Sequence, residues 1–156
     1  MPRKQIYETI EMKILYVLFV ICLCTLQNII AQKNDVFGVW TTVDDSTGEH
    51  KATVEIYERD GKAYGKVIQI TRESSRNNVC DLCEGEDKDR PVIGFEFIKG
   101  LELKKGKYQN GTITDPGNGK VYRAKIWIDP DDPDRLNLRG YVLFFYRTQR
   151  WIRAKQ

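Results

Sequence analysis

Residues 52–71 read ATVEIYERDGKAYGKVIQIT, and this stretch decides the fold class. Two runs rich in β-branched and aromatic residues, Ala52–Tyr57 and Ala63–Thr71, flank the turn Arg59-Asp60-Gly61-Lys62. Asp-Gly reaches positive φ easily, which is what a tight antiparallel hairpin asks of its turn. The same pattern extends both ways. Upstream lies Phe37–Val43 (FGVWTTV); downstream, Val92–Leu103 (VIGFEFIKGLEL) reads as a strand with a bend. Tyr108–Thr114 runs into Asp115-Pro116-Gly117-Asn118-Gly119, a turn no helix crosses. Beyond it Tyr122, Ala124, Ile126 and Ile128 share one strand face, with Arg123, Lys125 and Trp127 on the other. Asp129–Asp134 (DPDDPD) is a further turn, followed by closing strands at Leu136–Val142 and about Phe144–Arg153.

The result is an all-β chain of about eight antiparallel strands with no convincing helical period. Sequential hairpins of this number suit a closed up-and-down barrel, which removes exposed sheet edges and holds one small ligand; the competing architecture is a two-sheet sandwich. Residues 72–91, which contain Cys80 and Cys83, form the one long irregular segment. Loops of that length inside a compact domain tend to be functional or mobile.

Ahead of the barrel, Ile14–Leu26 (ILYVLFVICLCTL) is uncharged and mostly large and apolar. It is shorter than the roughly 20 residues a membrane-crossing helix needs, and suits the core of a signal peptide. Met12-Lys13 supplies a start and a basic flank, and Ala31 a small residue for cleavage. We therefore expect a signal-peptide helix within residues 1–31, a linker at 32–36 and a barrel domain at 37–154. The alternative is an uncleaved anchor. The expected location is outside the cytoplasm, periplasmic or secreted, with no stable transmembrane span after processing.

The 156 residues are 41% hydrophobic and 30% charged, which is one-domain length without a disorder signature. Cleavage after Ala31 removes Arg3, Lys4, Lys13, Glu8 and Glu11, lowering the net charge from +3 to +2. The remaining basic and acidic residues are interspersed along the chain, which argues against nucleic acid and against a polybasic membrane patch. His50, the single histidine, excludes a multi-histidine metal site. No metal and no cofactor is expected.

Several short motifs carry a resemblance. Gly38-x-Trp40 is similar to the glycine–tryptophan signature of lipocalin-like (calycin-type) barrels, and Trp151-x-Arg153 stands at the other terminus. The chain more specifically resembles the bacterial exported family called domain of unknown function 2147. The likeness is carried by Asp60-Gly61-Lys62-x-Tyr64-Gly65-Lys66, Cys80-x-x-Cys83-x-Gly85, Pro91-Val92-Ile93-Gly94, Asp115-Pro116-x-Asn118-Gly119-Lys120-x-Tyr122, Leu138-Arg139-Gly140-Tyr141 and Arg147-Thr148-Gln149-x-Trp151-x-Arg153. It spans about 37–153. The resemblance implies a lipocalin-like barrel in a bacterial cell envelope, with Trp40 closing one end beneath Arg153, and brings no established activity. Tyr146 departs from the glycine usual just before the Arg-Thr-Gln segment, which leaves the local bend of the last strand open.

In an oxidising compartment Cys80 and Cys83 are expected as a disulfide closing a tight loop. A metal or intermolecular site, a redox pair and free thiols are the alternatives; a structural zinc lacks ligands, and a thioredoxin-like role lacks its helix. Strand cations point either to solvent or into the lumen, where an arginine suits a ligand's acid group. Arg139 and Arg147 are the first candidates, then Arg123, with Tyr141, Tyr122 and Tyr64 as possible pocket walls. No catalytic set emerges, because a serine–histidine–aspartate relay rests on His50 alone and the acid pairs sit in turns. The expected partner is a small amphiphilic or acidic molecule. The alternative is an envelope interaction or structural module with a filled barrel and a disulfide-closed loop.

Overall fold

Alternation of this kind leaves each strand one face to bury, and eight successive strands bury it by rolling into a cylinder. The computed structural model describes residues 35–155. The expected leader at 1–31 lies outside the described residues. The strands are β1 (Gly38–Val43), β2 (His50–Arg59), β3 (Lys62–Ile70), β4 (Glu96–Lys104), β5 (Lys107–Thr114), β6 (Val121–Ile128), β7 (Arg135–Val142) and β8 (Phe145–Arg153). Each pairs antiparallel with the next, and β1 closes on β8 through Trp40 opposite Arg153 and Thr41 opposite Ile152. The fold is the expected all-β, eight-stranded closed barrel; one continuous closed sheet excludes the sandwich. Among the described residues no helix is long and apolar enough to cross a membrane.

One local reading changes, and one left open is settled. The strand expected from Val92 begins only at Glu96. Gly94 takes φ +88°, its N–H donates to the Val67 carbonyl at 2.7 Å, and Phe95 N–H turns back onto Val92. Residues 92–95 are therefore a turn stitched to the bulged end of β3. At the other terminus Tyr146 introduces no irregularity, since β7 and β8 pair without a register shift from Val142–Phe145 to Arg135–Ile152.

One end of the cylinder is filled. Trp40 is wholly buried, its indole Nε1 donates to the Val36 carbonyl at 2.8 Å, and the Arg153 guanidinium lies 4.2 Å from its ring centroid. This is the cation–π lid expected from the two termini. Arg153 is held from outside by Asp134 at 3.4 Å and donates to the Pro133 carbonyl at 3.4 Å. Ile56, Leu101, Ile126 and Leu136 fill the lumen around the indole. Gly38 permits the arrangement: its φ is +122°, and a Cβ there would sit 3.4 Å from the guanidinium.

On the outside of β2–β4, Arg59 grips Glu96 with two hydrogen bonds of 3.0 and 3.1 Å, and the Tyr57 hydroxyl donates to the same carboxylate. Arg59 also stacks on Tyr64 at 3.8 Å. Burial opposes the charge of Glu96, but hydrogen bonds from Tyr57 and Arg59 outweigh it and lower its pKa. Burial first, and then the carboxylate, push the Tyr57 phenol up to about 12.

Two outcomes follow for stability. Gly38→Ala is expected to cost about 1–3 kcal/mol through backbone strain, and Trp40→Ala about 3–5 kcal/mol through the void it leaves, both read from urea unfolding midpoints. Because folding lowers the pKa of Glu96, its contribution is complete above the ordinary glutamate value and fades as pH falls through the lowered one. Glu96→Gln should therefore be less stable than wild type near about pH 7, with the gap closing as pH falls below the ordinary glutamate range.

Candidate functional site

The inward positions shrink from one end of the barrel to the other. Along β1 the inward series runs Trp40 to Thr42, along β2 Ile56, Val54, Ala52, and along β7 Leu136, Leu138, Gly140. Large residues meet and exclude space at the Trp40 end, whereas small ones leave it at the other. The result is a cavity of about 540 Å³ that opens where β1–β2, β3–β4, β5–β6 and β7–β8 are joined. Its size falls within the roughly 300–1,000 Å³ usual for small-molecule sites.

Trp151 and Phe97 form an apolar floor, their ring centroids 6.1 Å apart. Val54, Val67, Ile113 and Leu138 supply the walls. The rim is polar. Arg147 pairs with Asp45 through Nε at 3.2 Å and Nη2 at 2.9 Å, and Lys51 pairs with Asp44. Asn118 donates to both the Asp115 carboxylate and the Tyr122 hydroxyl at 3.2 Å. Asp44 remains ionised far into acid, because hydrogen bonds from Lys51 and from the backbone N–H groups of Ser46 and Thr47 hold its carboxyl well below the usual range. An apolar floor beneath a charged rim matches a molecule with an apolar body and a polar head.

The six candidate residues divide by strand parity. Arg147 and Tyr122 line the cavity. Arg139 does not, because Leu138 and Gly140 take the inward positions on either side of it. Its Nε donates to Thr148 Oγ1 at 2.8 Å, and its guanidinium lies 4.1 Å from the Tyr146 ring and 5.3 Å from Trp127. Arg123 and Tyr141 face each other across β6 and β7 on the outer surface, and Tyr64 stacks on Tyr57 and Arg59. These four stand outside the cavity. Motif membership brought Arg139 forward, and side-chain type the other three, yet every second residue of a strand points away from the lumen. Trp151, expected only as a structural residue, is the floor. Gln149, which accepts a hydrogen bond from the Trp151 indole at 3.3 Å, was missed, as were the rim pairs Asp44–Lys51 and Asp45–Arg147. Counting back by twos from Trp151 reaches Gln149 and Arg147 and would have found this face.

The long segment between β3 and β4 braces the mouth. Cys80 and Cys83 are joined in a buried disulfide. Around it Cys80 N–H donates to the Arg90 carbonyl at 2.8 Å, and Val79 bridges to Pro91. The Cys80 sulfur lies 3.7 Å from the Pro116 carbonyl oxygen. Gly119 takes φ +69°, and a Cβ there would fall 1.8 Å from the Leu82 carbonyl oxygen. The disulfide loop thus seats directly on the β5–β6 turn that carries Asp115 and Asn118. Among the described residues no group of three or more histidine, cysteine, aspartate or glutamate side chains is placed to hold a metal.

Residues 38–153 match the family model described as an uncharacterized protein conserved in bacteria, DUF2147, and the chain belongs to that family. Among solved structures it is similar to one described as "Protein HP1028 from the human pathogen Helicobacter pylori belongs to the lipocalin family". The two share 20% identity with a TM-score of 0.66, over 79% of this chain and 85% of that one. That likeness shows a lipocalin-like fold. No curated protein matches the chain.

Gly119→Ala should unseat the disulfide loop without breaking the bridge. Amides of residues 78–91 are then expected to lose hydrogen-exchange protection while the strands keep theirs. Replacing both cysteines by serine should lower stability by less than about 3 kcal/mol, since the closed loop is short.

Proposed function

We propose that this DUF2147 barrel is an exported, non-enzymatic binder of one small amphiphile. The observation that carries the reading is the cavity of about 540 Å³, floored by Trp151 and Phe97 and rimmed by the Arg147–Asp45 and Lys51–Asp44 pairs. The apolar body of the ligand lies over the floor, with the hydrophobic effect as the driving force. An acidic head displaces Asp45 and takes both hydrogen bonds that Arg147 gives it, an exchange of one carboxylate for another. Asn118, Tyr122 and Gln149 offer uncharged contacts around the head. The leader-like residues 12–31 support export, and so does a buried disulfide, which is usual in oxidising compartments. The competing reading, an interaction module with a filled barrel, needs side chains across the lumen, and the mouth half holds the cavity instead.

Native mass spectrometry of protein recovered from its own host should show a bound amphiphile. In titrations with fatty acids and the matching alcohols, Trp151 emission should change on binding. Arg147→Gln is expected to weaken the acids about 10- to 100-fold, the range of a charge-assisted hydrogen bond, and to leave the alcohols unchanged. Arg139→Gln should affect neither. No adduct, together with no change in emission or melting temperature across the panel, would sink the proposal.

A further inference from the structure

The hairpin joining β7 to β8 is built the wrong way round for a soluble protein. A two-residue turn with positive φ at its first position favours glycine or asparagine, yet here it is Leu143-Phe144, with Leu143 at φ +52°. Leu143, Phe144 and Phe145 are 84, 95 and 77% exposed, and Val142 and Val121 beside them are also exposed. This apolar tip stands on the rim of the cavity, which Val142 and Arg147 line.

Behind the tip, the registers of β6, β7 and β8 lay out three outward rows. The first is Arg123–Tyr141–Tyr146, the second Lys125–Arg139–Thr148 and the third Trp127–Asn137–Arg150. Four of these nine positions are cationic and none is a carboxylate. Lys107 of β5 adds a fifth cation, 4.8 Å from the Trp127 ring. The aromatic rings are interleaved with the charges: Tyr141 lies 6.3 Å from Tyr146, and Arg139 spans Tyr146 and Trp127. Across the mouth, Asp44 and Asp45 are each ion-paired to a cation, and Asp129, which accepts from Asn137 at 3.1 Å, lies beside Arg150 at the far end of the face; the rows nearer the tip, with Arg123, Lys125 and Arg139, hold no carboxylate.

An apolar wedge backed by rows in which aromatic rings and cations alternate suits the passage out of a bilayer, from acyl chains into an interface where rings lie among anionic headgroups. The geometry points to an anionic phospholipid bilayer as the partner of this surface, with Leu143–Phe145 inserted and Arg123, Lys125 and Arg139 among the headgroup phosphates. The inference concerns the outer surface and stands whether or not the cavity is occupied. It also places the cavity mouth against the lipid.

The test uses the protein recovered from its own host and a tryptophan reporter at the tip, Phe144→Trp. Trp40 and Trp151 are buried, so Trp127→Phe in the same chain leaves the tip as the solvent-facing tryptophan. With vesicles of phosphatidylglycerol and phosphatidylcholine carrying bromines on their acyl chains, the reporter should shift to the blue and be quenched. Phosphatidylcholine alone should do neither. Taken as the difference from the same Trp127→Phe chain with Phe144 retained, this readout follows the tip and not Trp151 in the cavity, and is indifferent to any attachment through the N-terminal residues. Arg123→Gln and Arg139→Gln, with circular dichroism confirming the fold, should each weaken vesicle binding about fivefold, and high salt should weaken it further. Absence of quenching, or equal quenching by uncharged vesicles, overturns the inference. So does a dimer that already buries the reporter without lipid, which would assign the tip to a second copy of the chain.

Discussion

The structure depends on the two-residue period of a sheet that closes on itself. In an open sheet a strand can slip or leave; in a closed one each side chain is committed to the lumen or the outside by its parity. That constraint separates Arg147 from Arg139, although both stand in short motifs near the same end of the chain. It also makes a cavity by subtraction. The backbone cylinder continues past Trp40, Ile56 and Leu136, but its inward side chains dwindle to Thr42, Ala52 and Gly140. Space for a ligand arises because the cylinder does not narrow as its filling does.

The same parity builds two surfaces from one set of strands. Inward residues of β6–β8 (Ile126, Leu138, Trp151) hold the core, while the alternating outward ones gather cations and aromatic rings. Charges that look evenly mixed along the chain become one-sided in space. Their acidic counterparts sit in the β6–β7 turn or on other strands. Linear interspersion therefore excludes a basic face only when the strands do not sort charge by parity, and here they do.

Much of the fold was legible. Asp60-Gly61 between two alternating runs and the Asp115–Gly119 turn required nothing beyond local chemistry, whereas the pairing of Gly38-x-Trp40 with Trp151-x-Arg153 was implied by the resemblance to lipocalin-like barrels. The candidate site was only half legible. Arg147 and Tyr122 were among the residues named, but Arg139 was chosen by motif, Arg123 as a strand cation and Tyr141 and Tyr64 as aromatics, none of them by counting positions from a buried neighbour. The rim pairs join strand and loop residues as distant in sequence as Asp45 and Arg147, and that proximity exists only after closure. The start of β4 was misplaced because Gly94 N–H bonds to Val67, an interaction set by the bulge in a different strand.

The pairing of β1 with β8 also has a history in time. Every other ladder joins neighbours in sequence and can form as soon as both partners exist, whereas this one must wait for the last strand. A chain emerging from its N-terminus therefore holds β1 with one bare edge until Arg153 arrives, and long-range closure of this kind is slow. A bare edge recruits other chains. The residue that crowns Trp40 in the finished barrel is thus also the one whose late arrival ends the interval in which two molecules can mistake each other for themselves.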